Sequence, residues 1–237
     1  MATTLKQARD QLAGDAGVKG HKDFPAALLN RYLNIAQKYV QKTLNGLGMK
    51  KWEQAYDCTA NLAAGKYNGV SVKIVTMAQI KTGSTYDVSI MPNGIRNIEV
   101  GDGVSLAAST NFGITTPADE KNFHKILADS YLSPVITEPR HLWQDNQIVL
   151  APSTITAAKV HFYRVVADLS SDSAEFEVPD EFISFVIKNA EISVKNKLGI
   201  LADKDEAIAE LDKAIKDEFN AFMSQVNMEN NDLKQII

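Results

Sequence analysis

Apolar residues fall into three successive patterns along the chain: helical, alternating, then helical again. The run DFPAALLNRYLNIAQKYVQKTLNGLG puts Leu29, Leu33, Ala36 and Val40 on one helical face, with Leu28, Tyr32 and Tyr39 beside it. Asp23 is expected to cap this helix, with Pro25 in its first turn and Gly46 and Gly48 as its stop. Residues 1–20 give a weaker helical lead-in, broken around Gly14, Gly17 and Gly20. From about Tyr56 to Ser109 the period shortens to two. GVSVKIVTM alternates Val70, Val72 and Ile74 with polar residues, and TYDVSIM repeats the habit. Asn93-Gly94 and Asp102-Gly103 mark turns, and a hairpin is expected between IRNIEV and VSLAAS across Gly101-Asp102-Gly103. A short helix is expected after Pro117, in DEKNFHKILADSYL. NQIVLAP and ITAAKVHFYRVVADL predict two further strands, the second long and buried on both sides. Their return toward the opening helix would close an α+β core.

The C-terminal part reads as helix. EFEVPDEFISFVIKNAEISVKNKLG runs from a strand end into a helix that has Pro179 in its first turn and Asp180 and Glu181 at the positive end of its dipole. Two apolar rows follow: Phe182, Phe185, Val186 and Ala190 in one, Ile183, Ile187 and Val194 in the other. A helix resting on a single core needs one stripe, so something must cover the second. Past Gly199, Ile208, Leu211, Ile215, Phe222 and Val226 form one stripe, with Asp212 and Lys216 as an i,i+4 pair on the outer face. The predicted organisation is α+β: N-terminal and C-terminal helices around a central β-rich core, with a long C-terminal helical extension. It divides into an N-terminal helical segment (1–51), a β-rich middle readable as an insertion (52–131), strands plus the Pro179 helix completing the core (132–199), and a C-terminal helix and tail (200–237).

Composition narrows the class of protein. With 45% hydrophobic and 23% charged residues, the 237-residue chain has the balance of a soluble globular protein. The single cysteine, Cys58, excludes an intramolecular disulfide and suggests a reducing, cytoplasmic origin. The polar start MATTLKQARDQLAG lacks a signal-peptide core, and no window approaches a run of about 18 apolar residues, so no membrane span is expected. The net charge of −4 does not mark a nucleic-acid binder, but the charge is unevenly placed. Residues 1–51 hold nine basic groups against three acids, and residues 172–218 hold thirteen acids against six lysines. Two solvated faces of opposite sign would account for this, as would two ends that meet different partners.

Candidate chemistry is sparse. Gly101-Asp102-Gly103 begins like a dinucleotide fingerprint, but Leu106 stands where the third glycine belongs, so a turn is the better reading. There is no phosphate loop and no nucleophile elbow. His21, His124, His141 and His161 are scattered without zinc-site spacing, and His161 reads as a hydrogen-bonded structural residue. Asp203, Asp205 and Glu206 suit the acidic first turn of the final helix better than a calcium loop, and Cys58 has no local sign of activation. No enzyme activity, cofactor or metal is expected.

Several of these segments resemble head–tail connector (adaptor or ring) proteins of tailed bacteriophages. NQIVLAP matches an I-x-L-x-P strand at Ile148, Leu150 and Pro152. A long strand with an aromatic and an arginine follows (VHFYRVVADL), then Val178-Pro179-Asp180-Glu181-Phe182 and a helix. Leu29, Tyr32, Leu33, Asn34 and Ala36 of the opening helix fit a Leu-x-x-[YF]-[LI]-N-x-A pattern. The likeness covers the first helix and roughly residues 132–195, and the middle, Trp52 to Tyr131, departs from it. The resemblance implies a structural virion protein at the capsid–tail junction, assembled in the host cytoplasm. It would form a homo-oligomeric ring, usually of twelve copies, below the portal, contacting the portal and further tail or ring proteins and extending the channel through which DNA passes without specific binding. In such a ring one row would meet a neighbouring copy and the other rest on the subunit's own sheet, with Phe182, Ile183, Phe185, Val186 and Ile187 as the candidate contact residues; a central helix buried on both sides is the alternative. Leu233, Ile236 and Ile237 would dock on the portal, and Glu206, Glu210, Asp217 and Glu218 would face the channel. The basic helix, with Lys38, Lys42, Lys50 and Lys51, is the place to look if DNA does bind. The rival reading is another non-enzymatic phage tail or scaffold module that does not dock on a portal.

Overall fold

The structure, a computed structural model, describes residues 3–76, 81–82, 85–86, 95–129, 131–144 and 147–234, without the side chains of 81–82, 85–86 and 226–234. Its helices are α1 (Leu5–Asp15), α2 (Ala26–Gly46), α3 (Glu120–Ala128), α4 (Ile183–Lys197) and α5 (Lys204–Lys234). Its strands are β1 (Glu53–Asp57), β2 (Ala63–Tyr67), β3 (Val70–Thr76), β4 (Lys81–Thr82), β5 (Thr85–Tyr86), β6 (Ile95–Gly101), β7 (Phe112–Ile114), β8 (Thr116–Pro117), β9 (Arg140–Gln144), β10 (Gln147–Ala151) and β11 (Ala157–Tyr163). The class is α+β. Two compact units result, Met1–Lys50 with Val165–Ile237, and Lys51–Arg164. The expected segment 132–199 is therefore divided: its strands belong to one unit and the Pro179 helix to the other.

The first unit is helical. α1 starts with a capping box, Thr4 Oγ1 accepting from the Gln7 amide and Gln7 Oε1 accepting from the Thr4 amide at 2.9 Å. For α2 the N-cap is Pro25, which has no side-chain cap, so Asp23 does not hold the role the sequence suggested. A residue before proline is steered away from helical geometry, which prevents Phe24 from opening the helix. α2 ends in a Schellman motif. Gly48, at φ 101°, donates to the Asn45 carbonyl, and Met49 donates to that of Leu44. Leu44 and Met49, the positions whose apolar contact commonly accompanies the motif, are both buried.

Two further expectations fail in this unit. The strand expected before Pro179 shrinks to a single bridge between Glu175 and Thr4, and a 3₁₀ turn, Asp180–Phe182, separates Pro179 from α4. The long strand expected through VHFYRVVADL stops at Tyr163. Beyond it the backbone runs along α2, whose side-chain amides take the place of a partner strand. Asn34 bonds both the amide and the carbonyl of Leu169, Gln37 donates to the Ala167 carbonyl at 2.8 Å, and Gln41 accepts from the Val166 amide at 3.0 Å. Gln37 and Gln41 are buried, a position that polar side chains tolerate when hydrogen-bonded.

The second unit is a sandwich. One sheet has the order β1-β11-β6-β7, the other β2-β3-β10-β9-β8, antiparallel except where β8 runs parallel to β9. Ile98, Val100, Ala158, Val160 and Phe162 of the first meet Val75, Ile148 and Leu150 of the second around Cys58. The far face of the second sheet carries Tyr67, Val72, Leu142 and Val149, covered by Phe123 of α3. β10 is thus covered on both faces, which explains the unbroken apolar run of NQIVLAP. β11 is not. Val160 and Phe162 are buried, whereas Lys159, His161 and Tyr163 are half-buried on the open face, where His161 Nε2 lies 3.2 Å from a Glu99 carboxylate oxygen. The hairpin expected across Gly101-Asp102-Gly103 is replaced. β6 pairs with β11 and β7, and the VSLAAS segment forms a 3₁₀ turn at Leu106–Ala108. Asp102 closes this loop by accepting from the amides of Thr110 and Asn111. α3 lies where the sequence placed it, with Asp119 as its N-cap. β5 pairs with β4, while the rest of TYDVSIM and Asn93-Gly94 lie outside the described residues.

Candidate assembly surface

α4 sits among α1, α2 and α5. Both of its apolar rows are consumed there: Phe182, Ile183, Val186, Ile187, Ala190 and Val194 are all buried within the chain's own helical unit. The covering elements are helices, which corrects the expectation that one row rests on a sheet. Phe182 stacks edge-on against Phe222 of α5, with ring centroids 6.0 Å apart. Of the five residues proposed for a subunit contact, only Phe185 is half-buried rather than buried. It opens onto a groove of about 360 Å³ between α4 and α5, floored by Ile192 and Leu211. Glu191, buried at the same groove, is bonded by Lys188 at 2.9 Å and by Lys195. Burial alone would raise its pKa, but the two lysines outweigh that and hold the carboxyl below the ordinary range.

α5 begins as the sequence suggested, with the Asp203 carboxylate accepting from the amides of Asp205 and Glu206. Leu211, Ile215 and Phe219 are buried, and Ile208 and Phe222 are half-buried. Asp212 does not form the outer pair with Lys216. It stands beside the buried stripe and accepts a 2.6 Å hydrogen bond from the Tyr39 hydroxyl of α2. Burial, then this bond, pushes the Tyr39 pKa up to about 12. Of the four acids expected to line a channel, Glu206, Glu210 and Asp217 are exposed and Glu218 is half-buried. With Lys213, the three exposed acids make a solvent stripe opposite the buried face, at successive spacings of four, three and four. Leu233 belongs to α5, though its side chain is not described; Ile236 and Ile237 lie outside the described residues.

α2 carries a second outward stripe that the sequence reading only half identified. Opposite its buried residues lie Arg31, Ile35, Lys38 and Lys42, again spaced four, three and four. Lys38 pairs with Asp168 at 2.8 Å, and Ile35 is 51% exposed. The signal was present in the sequence as a basic helix with one misplaced isoleucine. Among the described residues, no three or more His, Cys, Asp or Glu side chains converge to hold a metal ion, and no helix is long and apolar enough to cross a membrane. Compared with protein-family models and with curated protein sequences, the chain finds no match in either.

Proposed function

We propose that the chain is a structural subunit of a ring below the portal of a tailed bacteriophage, joining capsid to tail and extending the DNA channel. One observation carries the reading. The two helical segments that resemble connector proteins, α2 with Leu29, Tyr32, Leu33, Asn34 and Ala36, and Val178–Phe182 with α4, pack against each other in one unit despite being far apart in sequence. The third likeness, Ile148, Leu150 and Pro152, lies in the β unit. In this reading the chain works as a homo-oligomer in the virion, twelve copies in the family-like case. It contacts the portal through the tail with Leu233, Ile236 and Ile237, and further ring or tail proteins on the other side.

The mass of the purified protein, alone and mixed with a candidate portal protein, tests the proposal. A ring mass in either condition supports it. A monomer in both overturns it in favour of a tail or scaffold module that does not dock on a portal. Deleting residues 228–237 should abolish portal binding while leaving the melting temperature unchanged, and intact binding would remove the tail from the interface.

A further inference from the structure

We infer that neighbouring copies meet through the basic stripe of α2 and the acidic stripe of α5, laid antiparallel. This rests on the ring reading and names the contact within it. Arg31, Ile35, Lys38 and Lys42 span 11 helical steps, about 16 Å, and Glu206, Glu210, Lys213 and Asp217 span the same length at the same spacings. Antiparallel, Arg31 meets Asp217, Lys38 meets Glu210, Lys42 meets Glu206, and Ile35 meets the methylene stem of Lys213. Laid parallel, the stripes would set Lys38 against Lys213 and Ile35 against Glu210, so charge selects the antiparallel register. Apart from Lys38 with Asp168, no residue of either stripe has an ion-pair partner among the described residues. Each stripe lies opposite its own helix's buried face, so one copy cannot bring its two stripes together. A second copy can. The contact joins two different faces of each subunit, the kind that closes into rings.

Ile35 decides between a protein and a nucleic acid as the occupant of α2. A duplex would neutralise the basic groups but leave the isoleucine, already 51% exposed, uncovered among phosphates. Glu206, Glu210 and Asp217 then belong to a subunit contact rather than to a channel wall.

Light scattering on the full chain at low salt provides the test, because exposed ion pairs weaken beyond a screening length of about 8 Å at physiological ionic strength. The doubles Arg31→Glu/Lys42→Glu and Glu206→Lys/Asp217→Lys should each fall to the monomer mass with unchanged circular dichroism, since all four side chains are exposed. Mixing the two doubles one to one, or combining all four substitutions in one chain, should restore the assembly. If the wild type assembles and neither double lowers its mass, the stripe assignment is wrong and the ring reading stands. A wild type that is monomeric at every concentration overturns the stripe contact, and the portal mixture then judges the ring separately. Loss of a duplex-DNA gel shift in the α2 double, with the assembly mass unmoved, would overturn the contact and assign that stripe to nucleic acid.

Discussion

His141 is the residue whose chemistry burial changes most usefully. It lies in the sandwich unit, hydrogen-bonded to Thr115 at 2.7 Å, and burial pushes its pKa down to about 4 from an ordinary 6.5. In the folded protein it stays neutral where the unfolded chain already binds a proton. Its contribution is therefore complete above pH 6.5 and lost as pH falls from 6.5 to 4, a total of about 3 kcal/mol at 1.36 kcal/mol per unit. Replacing His141 with Gln should flatten the fall in urea midpoint across that window, and an unchanged slope would show that another group titrates there. Cys58 gives a second prediction. Burial, then the nearby charge of Asp57, raises its thiol from 9.0 to about 12. Iodoacetamide at pH 8 should therefore label the native protein on the order of a thousandfold more slowly than the urea-unfolded chain. The sequence showed that Cys58 lacked an activating neighbour. That His141 would be the buried histidine could not be read from it, because burial there depends on strands that meet only in the folded sheet.

Elements bear out the same division between local and distant causes. α2 follows from its periodicity and its glycine stop, and α3 and the first turn of α5 from capping carboxylates only a few positions away. The run after Tyr163 does not. Its apolar residues look like a continued strand, yet its hydrogen-bond partners are Asn34, Gln37 and Gln41, roughly 130 residues earlier. The two rows on α4 correctly signalled burial on two sides, but nothing local could say that helices of the same chain provide it. Two substitutions measure these elements. Phe182→Ala removes a fully buried ring at the α4–α5 contact and should cost about 3–5 kcal/mol in denaturant unfolding. Gly48→Ala meets no atom within 4 Å, so its cost is purely that of the left-handed backbone at φ 101°, about 1–2 kcal/mol. A loss below half a kilocalorie would mean the C-cap of α2 can relax without it.

At the scale of the whole molecule, the two compact units divide between Lys50 and Lys51 and between Arg164 and Val165, the second division falling inside the segment 132–199 that the sequence joins into one. The boundary at 131 marks where the likeness to connector proteins begins, not where strand pairing ends. The actual exit at Arg164 is set by strand pairing, which periodicity does not report. β11 returns antiparallel beside β1, Glu53 opposite Tyr163, and the Arg164 amide donates to the Trp52 carbonyl at 3.0 Å. The chain therefore enters and leaves the sandwich on adjacent strands, about 5 Å apart. Such an arrangement lets a unit be cut out with little cost to loop closure. Residues 51–164, expressed alone, should fold with a single cooperative transition, because both cores of that unit are built from its own residues. Conversely, joining Lys50 to Val165 through a four-residue Gly-Ser linker should leave a helical protein that melts cooperatively and retains the Tyr39–Asp212 bond. Circular dichroism and calorimetry on the two proteins decide the point. If either piece is unfolded, the two compact units depend on each other and the sandwich is not an independent insertion.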